Sequence, residues 1–496
     1  HEVGPNPRSL AFSPDGEWLV VACSGEGEYD AGDPKAEIVC INVLGYTQDP
    51  VAPTWANVVS YTINFDDEYI VGGGPLAITG FEARTSQYDG TPGLSHLLEP
   101  SHVAITPDSQ RAFVNCQVNN TLVEVNLSNV ISGADVIQGA YGFGYRDMSS
   151  DNGFDGMDDG YALVEKPTLG TILGWYQPGD MEIVVSGSKT ILLTANEGLP
   201  SKNAGDTEDV NFCGGCGDYS SLEIDARYGS GATGNPSDPS YVFGSRSFSL
   251  WDITTTGSLS QVYDSGSLIE DKLAELMPDY VNSLKSTYFS GDQASISRGP
   301  EPAGIAHGML DGKDILIVSL EEMGGSMIFN LLNLDDTPTF SASYQAYATN
   351  RDFQNPTMDQ CAFNHLGAKD VLFLSSTITG NTSVTGGNEG YESILVSNDE
   401  TGSLTLFSLD SNFKVPGCMD SCACNYSQYA TVDDLSCDYS CVILGCKYPD
   451  ADNYDVLATE DDGSCTFPIN TSTCDGDLDG DGSVSTADLL LFLGAF

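Results

Sequence analysis

Near its carboxyl end the chain carries a twelve-residue run, DLDGDGSVSTAD at 477–488, with the spacing of a calcium-binding loop. Acidic residues stand at the first, third, fifth and twelfth positions, and a glycine at the sixth allows a sharp turn. The predicted ligands are Asp477, Asp479, Asp481, Ser483 through its carbonyl, Ser485 and Asp488. Hard oxygen ligands at this spacing suit Ca²⁺. The alternative is an acidic turn that binds no ion.

A second acidic run, DNGFDGMDDG at 151–160, has the composition of a calcium loop without its standard spacing. It interrupts a stretch that otherwise reads as short strands. Loops of this length in a rigid scaffold usually carry function or assembly contacts. The candidate ligands in this run are Asp151, Asp155 and Asp158.

A third set of carboxylates flanks the strands of a repeated phrase. Its candidate ligands are Glu99, Asp180, Glu197, Glu301 and Glu321. If the strands surround one channel, these carboxylates converge at its mouth and could hold Ca²⁺, which could in turn bind a phosphate or carboxylate ligand. The alternative is that each carboxylate caps a turn or accepts backbone N–H groups within its own sheet.

The repeated phrase is a Pro-bearing turn, an apolar strand, a short hinge and a second strand ending in small polar or acidic residues. Copies begin at Pro7, Glu99, Gln177, Glu301 and Pro356. Repetition of a two-strand unit is typical of a β-propeller, in which similar blades surround a channel. The sequence therefore predicts an all-β fold over residues 1–410, a propeller of seven blades with the first strand of each phrase innermost. The best helix candidate is 269–286.

Composition sets the environment of these sites. The 496 residues include 71 Asp+Glu and 18 Lys+Arg, a formal net charge of −53. Nucleic-acid binding needs Lys and Arg to displace counterions, so this charge argues against a nucleic-acid partner. No apolar run reaches the roughly 20 residues of a membrane helix. The 14 cysteines, and a first residue that is not Met, indicate a processed protein exported to an oxidising compartment.

Residues 411–468 contain a duplication with a period of 28, in which Cys418 and Cys437 recur as Cys446 and Cys465. Each unit is too small to bury a sufficient core, so disulfides must replace packing. The spacing suggests Cys418–Cys437 and Cys446–Cys465 as equivalent bonds, and the other pairings stay open. A zinc site is the alternative. The predicted order is a propeller at 1–410, repeats at 411–443 and 444–468, and a calcium-binding tail at 469–496.

Conventional catalytic motifs are missing from the sequence, which contains no HExxH, GxSxG or P-loop pattern. Cys213-Gly-Gly-Cys216 could be a redox motif or a local disulfide that closes a loop. The disulfide is favoured because no thioredoxin-like βαβ pattern surrounds the two cysteines.

Several motifs together resemble the secreted choice-of-anchor I family, which includes mesenchyme-specific cell surface glycoproteins. The motifs occur in family order and include RDMSSDNGFDGMDDGYALV (146–164), TANEG (194–198), FGSRSFSLWD (243–252), RGPEPAGIAHG (298–308) and EEMGGSMIFN (321–330). The duplicated units resemble GC-x-D-x-x-A-x-NY…DDGSC modules of secreted bacterial surface proteins, where they act as stiff spacers. The tail resembles one half of a dockerin.

Two functions follow from these observations. The first is a secreted, calcium-binding structural or adhesive surface protein that associates with itself, another surface protein or a glycan. The second is a Ca²⁺-dependent extracellular phosphoesterase, which the resemblance implies because some relatives are atypical alkaline phosphatases. In the first case, a propeller head, a disulfide-stiffened stalk and a calcium-locked tail serve assembly. In the second case, the channel carboxylates serve hydrolysis.

Overall fold

A computed structural model describes residues 3–25, 35–44, 58–65, 69–72, 76–80, 82–84, 98–150, 153–160, 164–167, 170–200, 210–213, 216–285, 291–335, 339–351, 353, 366–375, 392–409, 416–417, 432–433, 444–454, 458, 460–461 and 463–467. The chain divides into two compact units, His1–Val415 and Pro416–Phe496. Each unit is described by itself below.

The first unit begins with two sheets that are built mainly from antiparallel meanders. The first sheet contains β1 (Pro7–Phe12), β2 (Trp18–Cys23), β3 (Glu37–Asn42) and β4 (Val59–Ile63). The second contains β5 (Ile78–Gly80), β6 (His102–Ile105), β7 (Arg111–Cys116), β8 (Thr121–Asn126) and β9 (Ile137–Gly142). In the second sheet β6 to β9 form the antiparallel meander, and β5 pairs parallel with β9 at the edge.

The third sheet carries a long insertion. Before it lie β10 (Tyr145–Asp147) and β11 (Ile172–Trp175). The sheet itself contains β12 (Asp180–Ser186), β13 (Lys189–Ala195), β17 (Phe248–Asp252) and β18 (Ser260–Asp264). The insertion between β13 and β17 contains β14 (Val210–Phe212), β15 (Glu223–Asp225), helix α1 (Gly229–Thr233) and β16 (Ser240–Val242). The insertion folds back because β16 pairs parallel with β11.

Helix α2 (Leu268–Leu276) leads to the last two sheets of the unit. The fourth contains β19 (Pro302–Leu310), β20 (Lys313–Leu320), β21 (Ser326–Leu332) and β22 (Ser341–Ala348). The fifth contains β23 (Ala368–Leu374), β24 (Glu392–Asn398) and β25 (Ser403–Leu409).

The first hairpins of sheets one and two close with the same turn chemistry. In SPDG, the Asp15 carboxylate accepts the Ser13 hydroxyl at 2.6 Å and the Glu17 N–H at 2.9 Å. In TPDS, Asp108 accepts the Thr106 hydroxyl at 2.6 Å in the same way. A short acidic side chain bonded to the backbone two residues on is a standard way to fix a tight turn.

The sheets are joined side by side through their first strands. Strand β1 packs against β6, β6 against β12, β12 against β19, and β19 against β23. Successive antiparallel meanders that meet through their first strands have the blade arrangement of a β-propeller. The prediction of an all-β propeller is confirmed, and its seven blades stay a prediction, since the described residues build five such sheets.

The fifth phrase differs from the other four. Its predicted second strand is β23, and this strand itself lies beside β19. The predicted first strand of that phrase falls at 356–365, outside the described residues.

Apolar faces between neighbouring sheets form the core. Trp251 of the third sheet is fully buried with Phe113 and Leu122 of the second. A similar cluster joins sheets four and five through Ile317 and Ile394. Burial of such a side chain contributes roughly 1.5–3 kcal/mol relative to exposure. These clusters fix the sheets as rigid supports for the loops at their ends.

Helix α2 is shorter than the predicted 269–286, because it ends at Leu276. Pro278 follows one residue after the cap, and Met277 has φ −143° and ψ 56°, outside the helical region. A proline disfavours helical backbone at the preceding residue, which explains the early end.

The second unit contains two pairs of two-residue strands. They are β26 (Pro416–Gly417) with β27 (Val432–Asp433), and β28 (Leu444–Gly445) with β29 (Glu460–Asp461). Cys446 is joined to Cys465, the pairing predicted for the second repeat. Beside it Asn453 accepts the Thr466 N–H at 2.8 Å and donates to the Ser464 carbonyl at 2.8 Å. Cys418 and Cys437 lie outside the described residues.

Helices α1 and α2 are too short to cross a bilayer, and no other helix of the described part of the chain has the length and apolar character to do so.

Candidate metal centre

Three glutamates that flank inner strands come together in the first unit. Glu197 lies two residues beyond β13, Glu301 directly precedes β19, and Glu321 directly follows β20. They are 4%, 1% and 4% exposed, so all three carboxylates are removed from bulk solvent. One carboxylate oxygen from each lies within 4.8 Å of those of the other two. We refer to this set as the glutamate triad.

Backbone contacts fix the triad. The Glu321 N–H donates to the Glu301 carbonyl at 2.8 Å, which ties the start of β19 to the end of β20. Glu301 has φ 57°, in the left-handed region that residues other than glycine seldom adopt. The Gln117 side-chain amide donates to Glu197 at 3.2 Å, which connects the triad to the second sheet.

Three cationic side chains surround the triad. The Lys369 ammonium lies 2.6 Å from Glu197 and 2.5 Å from Glu321. Lys285 also pairs with Glu321, and Arg298 lies 2.8 Å from Glu301. These three come from a chain with only 18 Lys+Arg, so the site concentrates cations as well as carboxylates.

A fourth carboxylate lies at the edge of this network. Glu322 accepts the Lys285 backbone N–H at 2.7 Å and lies 3.9 Å from Arg298. Arg351 holds the turn that carries it by donating to the Glu322 and Met323 carbonyls at 2.7 and 3.0 Å. With Glu322 included, the carboxylates outnumber the cations by one.

Burial and neighbouring charges divide the triad into unequal acids. Burial raises the pKa of Glu301 well above its usual value, and the charges of Glu321, Glu197 and Glu322 raise it further against the opposing effect of Arg298. Burial acts in the same direction on Glu321, but Lys369 and Lys285 together lower its pKa. Glu301 also has one carboxylate oxygen, Oε2, that is buried without a hydrogen-bond partner. It is therefore the triad member that a proton or a metal ion would neutralise.

A neutral histidine, His102, lies near Lys369 and Arg8. Burial, and next the charges of Lys369 and Arg8, lower the pKa of His102 to about 4. Its Nδ1 atom is buried without a hydrogen-bond partner. At neutral pH the ring is uncharged and available for a polar contact.

The other predicted ligands lie elsewhere. Asp180 accepts the Met181 N–H at 2.7 Å and the Ile305 N–H at 3.0 Å, so it fastens β12 to β19. Half-buried Glu99 is placed by its own N–H, which donates to Asn119 at 2.8 Å. Neither belongs to the set of three that meets in the described part of the chain. Asp180 thus binds backbone N–H groups, as in the alternative interpretation, but one of them belongs to a neighbouring sheet.

The structure separates the residues of the acidic run at 151–160. Asp155 is buried at 1% exposure, whereas Asp158 is exposed. Asp151 lies outside the described residues, as does the whole loop that contains Asp477, Asp479, Asp481, Ser483, Ser485 and Asp488. Cys213 and Cys216 form the predicted local disulfide.

Sequence reasoning did not identify the cations of the site. Arg298 stands in the RGPEP motif three residues before Glu301, a spacing that could have suggested the pair. Lys285 and Lys369 reach the triad from distant segments, and no local pattern indicates them.

A family model for the choice-of-anchor I domain matches residues 1–334, two thirds of the chain. The chain belongs to the choice-of-anchor I family. The matched residues include the whole triad, Lys285 and Arg298, whereas Lys369 lies beyond the last matched residue.

Similar proteins are distant. The mesenchyme-specific cell surface glycoprotein of Strongylocentrotus purpuratus is 26% identical over 140 residues, which cover 24% of this choice-of-anchor I chain and 18% of the relative. The periplasmic gluconolactonase of Pseudomonas aeruginosa is 11% identical, with a TM-score of 0.36 over 83% of this chain and 69% of that one. The β-propeller domain of Cps50 from Myceliophteria thermophila is 10% identical, with a TM-score of 0.25 over 82% of this chain and 84% of that one. The two solved structures do not bear on the activity of this chain.

Proposed function

We propose that this chain is an extracellular surface protein whose propeller binds Ca²⁺ at Glu197, Glu301 and Glu321. One observation carries the proposal: oxygens of three buried carboxylates from separate segments lie within 4.8 Å of one another. Ca²⁺ is held by oxygen ligands at 2.3–2.6 Å, so ligands on opposite sides of one ion are about 5 Å apart. The triad fits around one such ion.

Four features support the extracellular location. They are the choice-of-anchor I family, the cell-surface relative, the Cys446–Cys465 disulfide and the net charge of −53. Disulfides persist in oxidising compartments outside the cytosol. A strongly acidic surface stays soluble and attracts divalent cations.

The Lys369 ammonium occupies the place in which a metal ion would neutralise Glu197 and Glu321. Its ammonium bridges Glu197 and Glu321, yet its side chain is 40% exposed and can withdraw to solvent. A divalent ion would supply one more positive charge than this ammonium. It would also give the unpartnered Oε2 of Glu301 a ligand role. Exchange of Lys369 for Ca²⁺ requires only the movement of one flexible side chain.

Bound Ca²⁺ would also allow the protein to assemble with other acidic molecules. Acidic chains repel one another unless cations bridge them, so bound Ca²⁺ permits contact with a second copy, another surface protein or an anionic glycan. The tail loop at 477–488 supplies a second set of Ca²⁺ ligands in the sequence.

Calcium titration of the full-length protein tests the triad. Isothermal titration of chelator-treated protein should show that Glu301→Gln removes one Ca²⁺ per chain. The matched control is Glu275→Gln, because Glu275 is 65% exposed and pairs only with Lys272 on its own helix. Equal stoichiometry and affinity in the wild type and Glu301→Gln would reject the triad as a calcium site.

A second function is favoured by the cations that surround the triad. Arg298, Lys285 and Lys369 could bind an anionic phosphate ester while the triad holds the metal, and a buried carboxyl with a raised pKa such as Glu301 can donate a proton. This is the arrangement expected of a metal-dependent phosphoesterase. Hydrolysis of p-nitrophenyl phosphate in Ca²⁺, lost in Glu301→Gln and reduced in Arg298→Gln, would support it. Failure of the wild type to hydrolyse the ester in Ca²⁺, Mg²⁺ or Zn²⁺ would exclude it for this substrate class.

A further inference from the structure

A second group of buried charges lies around the loop between β16 and β17, and it contains none of the triad residues. At its centre is Arg246, a residue with no exposed surface between β16 and β17. Around it lie Asp155, Glu270, Asn282 and Asp292, which are 1%, 0%, 0% and 2% exposed. These five residues are called the Arg246 cluster.

The guanidinium of Arg246 is held from several sides. It donates to Glu270 at 2.9 Å, to the Ser295 carbonyl at 2.6 Å and to the Ser297 carbonyl at 3.0 Å. It also donates to the backbone carbonyl of Asp155 and lies over the Phe154 ring at 4.8 Å. Arg246 therefore fixes the loop that carries Asp155 against helix α2 and the 291–297 segment.

Hydrogen bonds orient one polar atom in each of three side chains, Glu270, Asp292 and Asn282. Glu270 Oε1 accepts from Arg246 and from the Asn282 amide, the latter at 3.1 Å. Asp292 Oδ2 accepts the backbone N–H groups of Asp159 and Gly160, each at 2.6 Å. The Asn282 amide also donates to Ser295 at 2.9 Å. These contacts resemble the outer hydrogen bonds that orient metal ligands.

The remaining oxygens of the cluster have no hydrogen-bond partner although they are buried. They are Asp155 Oδ1 and Oδ2, Glu270 Oε2, Asn282 Oδ1 and Asp292 Oδ1. Leaving a buried polar atom unpaired costs about 1–3 kcal/mol, and more for a charged group. All of these atoms are acceptors, so the missing partner must be a cation or a proton donor.

Charge gives the same result. The cluster contains three carboxylates and one guanidinium, so ionised it holds two uncompensated negative charges away from water. A divalent cation would balance them. A single proton on Asp155 is the competing solution, because burial, the nearby charges of Glu270 and Asp292 and a hydrogen bond between the Asp155 and Asp292 side chains raise the pKa of Asp155 to about 9.

The backbone is strained at the same place. Arg246, Asn282 and Asp292 have φ of 58°, 51° and 79°, which residues other than glycine seldom adopt. Such conformations persist where the surroundings enforce them, often at ligand sites. The strain agrees with a site built to present these side chains.

We infer that the Arg246 cluster is a buried Ca²⁺ site, with Asp155 and Asp292 as its anionic ligands and with Asn282 and Glu270 contributing oxygens directly or through water. Ca²⁺ accepts carboxylate and amide oxygens in flexible geometry, whereas Mg²⁺ demands a near-ideal octahedron and retains water. The ion would join the 153–160 segment, α2 and the 291–297 segment. Its role is to hold these three segments around Arg246, a role separate from that of the triad.

Asp155→Asn is the decisive variant, since both oxygens of the Asp155 carboxylate are buried and accept no hydrogen bond from an N–H or hydroxyl group of the described residues. The metal content of full-length protein, measured by mass spectrometry after dialysis against excess Ca²⁺, should fall by one ion per chain. In the same buffer the melting temperature should fall by several degrees. Glu301→Gln should remove a different ion, so the double variant loses two, and loss of the triad site alone leaves this site intact.

The competing solution predicts the opposite sign. If a proton neutralises Asp155, an uncharged amide leaves metal content unchanged and stability equal or higher.

A second pair of variants guards against a folding failure of Asp155→Asn. Glu270→Gln and Glu275→Gln lie on one helix, and only the first should weaken Tb³⁺ binding, by at least tenfold. Unchanged metal content in Asp155→Asn, or equal Tb³⁺ affinity in the two helix variants, overturns the assignment.

Discussion

The ammonium of Lys369 lies 2.6 Å from a carboxylate oxygen of Glu197, although the two residues are 172 positions apart in the chain. Glu197 ends the inner hairpin of the third sheet, and Lys369 lies on β23 of the fifth. The same ammonium reaches Glu321 at the end of β20 in the fourth. One side chain thus connects three sheets at the triad.

Replacement of Lys369 by methionine should destabilise the protein in chelator and increase its dependence on Ca²⁺. Loss of the ammonium leaves Glu197 and Glu321 facing each other, at a cost of about 1–3 kcal/mol after allowance for the exposure of Lys369. Ca²⁺ should restore most of this free energy of unfolding, measured by urea denaturation.

Lys189→Met is the control for this rescue. Lys189 pairs with Asp252 at 2.6 Å on the third sheet, away from the triad. Its loss should not be compensated by Ca²⁺. Equal rescue of both variants would show that Ca²⁺ acts through the general charge of the protein.

The stability of the metal-free protein should fall as pH rises from about 4 to about 8. Burial and the charge of Asp370 raise the pKa of Asp180 to about 7, and burial raises that of Glu182 to about 7. The folded state therefore binds more protons than the unfolded state in this range, so the free energy of unfolding decreases with pH. A tenfold change in acidity corresponds to about 1.4 kcal/mol, so the two raised pKa values together set an upper limit of about 8 kcal/mol on this decrease.

The double variant Asp180→Asn, Glu182→Gln should reduce this pH dependence in EDTA, and the raised pKa values of Asp155 and Glu301 leave a residual slope. Asp15→Asn serves as the control. Hydrogen bonds from Ser13 and Glu17 lower the Asp15 pKa, so that carboxyl contributes stability that is lost only at more acidic pH. A slope above pH 5 equal to that of the wild type would assign the effect to other groups.

Replacement of both Cys446 and Cys465 by serine should unfold the second repeat. The disulfide closes a short loop around two-residue strands, and its removal should cost about 2–5 kcal/mol. Limited proteolysis should then cut within 444–467 while the first unit stays intact. A protease pattern identical to that of the wild type would show that packing alone holds the repeat.

Asp479→Asn should lower Ca²⁺ stoichiometry by one and reduce Ca²⁺-dependent assembly. Asp479 is the third-position ligand of the predicted tail loop, and without it the loop loses a charge needed for the ion. Light scattering of wild type and variant, with and without Ca²⁺, measures the effect. Wild-type monomers under every condition would reject assembly.

Local pattern predicted the strands and turns well, because the repeated phrase records both strand periodicity and turn chemistry. It also placed Glu197, Glu301 and Glu321 at the ends of inner strands, where the propeller brings them together. The extent of α2 was overestimated because the helical pattern continues through Pro278.

Partners from distant segments were beyond such reasoning. Lys369 and Lys285 approach the triad only because the sheets close around it, and Glu270 approaches the Asp155 segment because both bind Arg246. The composition of the acidic run drew attention to Asp155, but the residues that surround Asp155 depend on tertiary contacts. Only the three-dimensional fold shows that buried oxygens there lack partners.

Anomalous diffraction from crystals grown in Ca²⁺ and exchanged into Tb³⁺ tests most directly the proposal that the propeller binds Ca²⁺. We expect an anomalous peak between the carboxylates of Glu197, Glu301 and Glu321, with the Lys369 ammonium displaced from its bridge. A triad without a peak, with Lys369 still bridging Glu197 and Glu321 at saturating Tb³⁺, would show that the three glutamates form a structural ion-pair network.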